Sequence, residues 1–471
     1  MSECHTAQDA FEHAPAMMAP TGSSTPATPF SKPSTLPPQS QSLCRDNLDR
    51  WLLKRNPPRC PKNLADWLLD HQIEIPLNLL ALLIVNHLFV PRARQHTSKF
   101  FSLSHYNPNT GRYAIGDGDF YFLGFCVVLY TGLRAGIMKY ILAPLATHWG
   151  ISKRKDITRF SEQAWLLCYY SVFWTLGLYI YGTSKYYLNL REMFTDWPTR
   201  DLPGLTKVYI LGQWAFWLQQ ILVLNIEARR KDHWQMLAHH LVTVVLISTA
   251  YALHLTRVAN LVLILMDVVD IFFPLAKCLK YLGYTTARDI LFGVFMLAWF
   301  LARHVCYLLT MWGIWKYMPE TIAEGCYHIP ASGTQDSLQG PTPLPVHGWS
   351  HLWTPFYNPT GPICYSDGIR WGFLGALGFL QLLTVLWFVL IVKVAVRVVQ
   401  GIGADDIRSD DEEEDEMDVE EDENEMVKLS PSPSSGWKRR AAGSRRPASS
   451  SGVSFDRKEL LSRIGCEKQV D

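Results

Sequence analysis

The stretch LAHHLVTVVLISTAYALHLTRVANLVLILMDVVDIFFPLAKCLKYL, from Leu237 to Leu282, decides how the rest of the chain is read. It holds two apolar segments, each approaching the roughly 20 residues that cross about 30 Å of hydrocarbon. Both carry ionisable groups: His239 and His240 in the first, Asp267 and Asp270 in the second. A charge in hydrocarbon costs roughly 2.5 to 3.5 kcal/mol on insertion scales, so such groups face a protein cavity and serve a purpose there. The hairpin is the expected site.

His239 and His240 are neighbours, so on a helix they point about 100° apart and line one cavity from different angles. They are expected three to five residues inside the cytosolic end of their span, as imidazoles able to accept a proton or attack a carbonyl. The plainer reading is an interfacial pair that only packs. Asp267 and Asp270 are three residues apart and share a helix face, which Asn260 extends one way and Pro274 and Lys277 the other. By helical rise the aspartates lie deeper than the histidines. Trp299, Arg303 and Tyr307 recur at four-residue spacing in the next span, with His304 beside Arg303. An Arg there needs a carboxylate or a phosphate, so Arg303 either pairs with an aspartate or contacts substrate; Asp270 has Lys277 as its other candidate partner. Glu227, Arg229, Arg230, Lys231 and Asp232 precede the His span, where the basic residues would dock a polyphosphate or simply mark the cytosolic side.

Outward from this hairpin, eight apolar blocks are expected to span, at about Ile75–Val90, Phe120–Leu145, Trp165–Tyr181, Val208–Ile226, Met236–Leu253, Val258–Cys278, Ile290–Met311 and Trp371–Val396. The expected architecture is an all-α polytopic membrane protein, with the first spans and the tails peripheral to a bundle around a central cavity. Lys and Arg in the short loops favour cytosolic termini on the rule that positive charge stays inside. Four segments follow: a Pro/Ser/Thr-rich tail with a basic juxtamembrane piece (1–62), two first spans (63–156), a catalytic bundle (157–400), and an acidic then basic tail (401–471). The tails carry too little apolar surface to offset the entropy of ordering. Ser409, which precedes DDEEED, is a phosphorylation candidate.

The formal net charge of +1 conceals a division, because Asp405 to Glu425 holds fifteen acidic residues and one Arg. Without it, 43 Lys and Arg stand against 28 Asp and Glu. That basic remainder suits anionic headgroups or a phosphate-bearing substrate rather than nucleic acid. The ten Cys form no CxxC pair, which argues against a redox motif or a Cys-rich zinc site. Cys326 and Cys364 both precede the last span and are a disulfide candidate if that loop faces an oxidising lumen.

The segments EARRKDHWQMLAHHLVT (Glu227–Thr243), the Asn260–Lys277 run with its MDVVD core, WFLARH (Trp299–His304) and FSEQAWLLCYY upstream together resemble the TLC-domain family, and within it the ceramide synthases of fungal type. The resemblance implies an endoplasmic-reticulum enzyme that joins the acyl group of a fatty acyl-CoA to the amine of a sphingoid base. It places His239, His240, Asp267 and Asp270 at active-site positions, with membrane lipids around them and no cofactor, since acyl-CoA is a substrate. It leaves open a small regulatory subunit or a homodimer. Two other classes stay in play: a proton-coupled lipid carrier or lipid-transfer protein, since intramembrane Asp and His also build relays, and a metal-dependent lipid hydrolase with His233, His239, His240 and the aspartates as ligands.

Overall fold

The computed structural model describes residues 64–227, 232–328, 339–344, 354, 358 and 361–400. Arg229, Arg230, Lys231, Ser409 and the two terminal tails lie outside the described residues. Two units divide the chain, Met1–Thr384 and Val385–Asp471; the described part of the second is the apolar end of the last helix.

A short helix α1 (Leu64–Asp70) leads into α2 (Glu74–Phe89) and α3 (Pro91–Phe101). Pro91 begins α3 at a position where a missing N–H costs nothing. The long helices follow: α4 (Asp119–His148), α5 (Arg154–Gly182), α6 (Gly204–Ile226), α7 (His233–Ala252), α8 (Thr256–Asp267), α9 (Val269–Tyr281), α10 (Thr285–Trp299), α11 (Tyr307–Thr321) and α12 (Asp367–Val399). Residues 300–306 form a π-helical segment that joins α10 to α11, so Thr285–Thr321 runs as one rod. Likewise α8 and α9 are one span broken at Val268. At that break the Met266 carbonyl accepts from Arg303, and further along α9 Pro274 has no N–H to give the carbonyl of Asp270.

Six helical rods among the described residues are long and apolar enough to cross a membrane: Asp119–His148, Arg154–Gly182, His233–Ala252, Thr256–Tyr281, Thr285–Thr321 and Asp367–Arg397. The expected count of eight is therefore not reached on that standard. The first block forms only the 16-residue α2, and α6, though 23 residues long, carries Lys207, Gln213 and Gln219 on buried positions. Polar side chains turned inward lower its mean hydropathy without exposing charge to lipid.

The helix of the second expected span is not peripheral, whereas α2, the helix of the first, packs chiefly against α3 and α4. Helix α4 packs along α6, and Asp119 at its start is buried against Lys207 of α6, with Nζ 2.6 Å from Oδ1. Lys207 also donates to the carbonyls of Ser104 (3.0 Å) and Ala114 (2.7 Å). Asp119 in turn accepts from Tyr251 Oη of α7 (2.7 Å), from the backbone of Gly116 (3.0 Å) and from the Ser104 hydroxyl. This pair ties α4 to the bundle.

At the same end, two small antiparallel sheets cap the helices. One pairs β1 (Tyr106–Asn107), β2 (Arg112–Ala114) and β3 (Asp201–Leu202). The other has the order β5-β4-β6, from β4 (Gly325–His328), β5 (Gln339–Thr342) and β6 (Ile363–Tyr365), with Cys326 opposite Cys364 and the two joined by a disulfide. The expected long loop before the last span is thus a sheet over the described part of its length. The opposite end, where α5 begins and α9 meets α10, carries Lys153, Arg154, Lys155, Arg159, Lys277, Lys280 and Arg288; these ends are called here the disulfide end and the basic end.

Candidate active site

The site begins at the basic end of α7. The helix starts at His233, three residues before the expected span, which puts His239 about 9 Å and His240 about 10 Å along it. The two imidazoles diverge as adjacency requires. His239 turns onto a small cavity of about 50 Å³, while His240 is buried and its Nδ1 lies 2.6 Å from the Met236 carbonyl. A carbonyl oxygen only accepts, so Nδ1 of His240 carries the proton and Nε2 is left with a lone pair. Trp217 of α6 stands edge-on to both rings, at centroid distances of 5.6 and 5.1 Å. It is also part of the cavity wall.

From His239 the cavity extends toward the disulfide end between α7, α8 and the first turns of α12. Its wall is apolar apart from His239 and Thr243, and the Thr243 hydroxyl is spent on the His239 carbonyl at 2.8 Å. The cavity is an apolar surface with one reactive side chain at one end.

Met266 of α8 borders the cavity, and the charged residues stand behind it. Arg303, on the π-helical segment, donates from Nη2 to the Met266 carbonyl and to Asp270 Oδ1, both at 2.9 Å. Its guanidinium lies 4.1 Å from the centroid of the Trp299 ring. A π turn inserts an extra residue into the helix, and here it rotates Arg303 into the bundle and points His304 to Gln381 of α12, 2.8 Å away. Asp267 is fully buried and accepts from Gln213 Nε2 of α6 at 2.5 Å, and Gln213 Oε1 in turn accepts from Tyr169 at 3.1 Å.

The sequence-derived residues therefore separate into groups. His239 and His240 share one level of α7, with ring centroids 5.6 Å apart. Asp270 takes Arg303, not Lys277, as its partner; Lys277 Nζ lies 4.4 Å from the centroid of the Phe273 ring, toward the basic end. The aspartates do not border the cavity, so the two titratable pairs do not open directly into one chamber; Met266 and Arg303 lie between them. Asn260 is buried and bonded to Tyr186 Oη (2.9 Å) and to the Gly177 carbonyl (3.2 Å), which makes it a tie between α5 and α8 rather than a wall of the cavity. Gln213, Trp217 and the Asp119–Lys207 pair were not singled out by sequence reasoning. A glutamine in the middle of an apolar block was the available signal for the first.

A family model of the TLC domain matches residues 159–393. A ceramide synthase of Gibberella moniliformis is 46% identical over 332 residues, covering 70% of this chain and 77% of that protein. This chain belongs to the TLC-domain family. Within the TLC-domain proteins it is also similar to a sphingosine N-acyltransferase-like protein of Alternaria alternata, 42% identical over 75% of this chain and 78% of that one. A sphingosine N-acyltransferase of Schizosaccharomyces pombe is 38% identical over 74% and 81%. Each of these alignments is longer than the matched domain, so the likeness extends beyond it.

Proposed function

We propose that this TLC-domain protein is a ceramide synthase, an acyltransferase that moves the acyl group of a fatty acyl-CoA onto the amine of a sphingoid base. The observation that carries the reading is His239 standing at one end of an otherwise apolar cavity, with a buried Arg–Asp pair one layer behind it. The acyl chain lies against that apolar surface with its thioester carbonyl at the imidazole. The amine nitrogen attacks the carbonyl carbon, His239 takes the amine proton, the C–N bond forms, the C–S bond breaks, and CoA leaves as the thiolate that receives the proton. His240, with Nδ1–H committed to the Met236 carbonyl, holds its neighbour's orientation through Trp217. Arg303, fixed by Asp270, sets the field in which the tetrahedral oxyanion forms, and Asp267 fixes Gln213 and the turn that carries Asp270. The apolar walls keep water from the thioester.

The protein sits in the endoplasmic-reticulum membrane with its basic end in the cytosol, where acyl-CoA is met. Arg229, Arg230 and Lys231, between α6 and α7 in sequence, receive the nucleotide phosphates. The Cys326–Cys364 bridge supports placing the other end in the oxidising lumen. Counting α2 and α6 as crossings puts both termini in the cytosol. A hydrolase built on His233, His239, His240 and the aspartates finds little support: among the described residues no three His, Cys, Asp or Glu side chains are grouped to share a metal ion, and the carboxylates are engaged by Gln213 and Arg303.

Purified full-length protein given acyl-CoA and a sphingoid base should release free CoA thiol in proportion to the amide formed, and only when both substrates are present. Transport or binding of either lipid without thiol release would overturn the assignment in favour of a carrier.

A further inference from the structure

We propose that a second cavity, at the disulfide end, binds the headgroup of an anionic phospholipid from the leaflet at that end, with Arg257 as the main contact for its phosphate. The site is separate from the one that His239 faces and stands whether or not the transferase reading does.

The cavity measures about 1020 Å³, at the upper end of the roughly 300 to 1,000 Å³ usual for ligand sites. It lies between the β1–β2 hairpin, the last turn of α5, the segment joining α5 to α6, the first turn of α6, and the α7–α8 connector (253–255) with the start of α8. Its charged lining is unbalanced. Arg112, Lys185, Arg200 and Arg257 stand against two carboxylates, Asp196 and Asp201, and Asp201 already accepts from Asn107 Nδ2 (3.2 Å) and the Thr110 hydroxyl (2.8 Å). The two histidines of the lining are engaged as well, His105 with Asp117 at 3.4 Å and His254 through Nδ1 with the Thr199 carbonyl at 2.9 Å. Arg112, Lys185 and Arg257 have no ion-pair partner among the described residues. A cleft lined by one sign of charge concentrates the field inside it, here in favour of an anion.

Arg257 shows which anion. Its Nη1 donates to the carbonyls of Glu192 (2.9 Å) and Thr195 (2.8 Å), and its guanidinium carbon lies 6.0 Å from the centroid of the Tyr186 ring. Glu192 lends only its carbonyl, since its carboxylate accepts from the Thr195 hydroxyl at 2.8 Å. The carbonyls fix the plane of the cation without neutralising it. Nε and Nη2, which carry the parallel N–H pair that grips two oxygens of one phosphate, have no hydrogen-bond partner among the described residues. Thr206 and Thr256 bring hydroxyls to the same lining; both residues are buried, and neither hydroxyl is hydrogen-bonded among the described residues. They are donors for the remaining phosphate or ester oxygens.

The rim of the cavity favours a lipid as the source of that phosphate. Tyr179 in the last turn of α5 and Leu205 in the first turn of α6 line it too, and they are 61% and 43% exposed. Because α5 is one of the rods that cross the membrane, its last turn lies where hydrocarbon meets headgroups. A basic interior behind an apolar and aromatic lip matches a molecule that has both a phosphate and a hydrocarbon part. A soluble anion uses only the interior.

The test titrates detergent-purified full-length protein with phosphatidylserine, phosphatidylcholine or glycerol 3-phosphate and reads the bound molecules by native mass spectrometry. Wild type should bind phosphatidylserine roughly tenfold more tightly than phosphatidylcholine, and equimolar glycerol 3-phosphate should not displace it. Arg257→Gln should weaken that binding about tenfold, and the double variant Arg112→Gln, Lys185→Gln, which alters two exposed side chains, about threefold. Arg288→Gln, at the basic end, should leave it unchanged. Wild type without a preference for phosphatidylserine overturns the proposal even if no variant folds. Folded variants that bind like the parent overturn it as well, as does an equal loss in Arg288→Gln, which is the mark of attraction to any surface charge. Displacement by equimolar glycerol 3-phosphate makes the ligand a soluble anion and overturns the lipid.

Discussion

Lys207–Asp119 and Arg303–Asp270 are both charge pairs inside an apolar bundle, and they are finished to different degrees. Around the first, Lys207 has two carbonyls besides its carboxylate, and Asp119 has a tyrosine, a serine and a backbone N–H besides its ammonium. Both are almost wholly withdrawn from solvent. Around the second, Nε of Arg303 and Oδ1 of the neighbouring Asp267 have no hydrogen-bond partner among the described residues, and Asp270 keeps about a quarter of its side chain exposed. A buried polar group left unsatisfied costs about 1 to 3 kcal/mol. The difference teaches that burial of charge alone does not mark a site; the second pair stands apart by keeping polar atoms unsatisfied one layer behind the cavity that His239 faces.

The comparison can be broken most severely at the finished pair. Asp119→Asn leaves the Lys207 charge buried without its counter-ion, and should cost about 3 to 5 kcal/mol of stability, read as an early thermal transition of the detergent-solubilised protein. An unchanged transition would mean that the pair is not structural. A smaller effect sharpens the same contrast at the disulfide end. Burial in the α7–α8 connector holds the His254 imidazole down at about 4, below the roughly 6.5 of an unfolded chain. Between those values the unfolded state binds more protons, so stability is complete above about pH 6.5 and is lost as pH falls toward 4, by about 2 kcal/mol at pH 5. His254→Asn should flatten that dependence at little cost in fold, because asparagine tolerates the positive φ of 57° found there. Thermal melts of both proteins at pH 7 and pH 5 read it directly.

The helical membrane class was legible because long apolar blocks have few other uses, and the block boundaries followed from where charge interrupts them. The count was less legible. A residue such as Lys207 or Gln213 lowers the apolarity of α6 whether it faces lipid or core, and only packing against Asp119 and Asp267 tells which. His239 and Arg303 stood out because their charge falls inside apolar spans. The separation of Asp267 and Asp270 from the cavity did not, because it depends on Met266 occupying the intervening face of α8 and on the π turn that swings Arg303 inward. Neither a π turn without proline nor a cavity shared by four helices has a periodicity to read. Asn260 misled for a related reason: a polar residue on the stripe of the aspartates is as readily a tie to Tyr186 as a contact for substrate.

The measurement that bears most directly on the account is turnover per folded molecule in His239→Ala and Asp119→Asn, assayed side by side as CoA thiol released and normalised to the folded fraction in the same sample. The account predicts that His239→Ala melts like the parent and loses turnover by about a thousandfold or more, whereas Asp119→Asn loses folded protein while each folded molecule works at close to the parental rate. A folded His239→Ala protein that still releases thiol at the parental rate would contradict it.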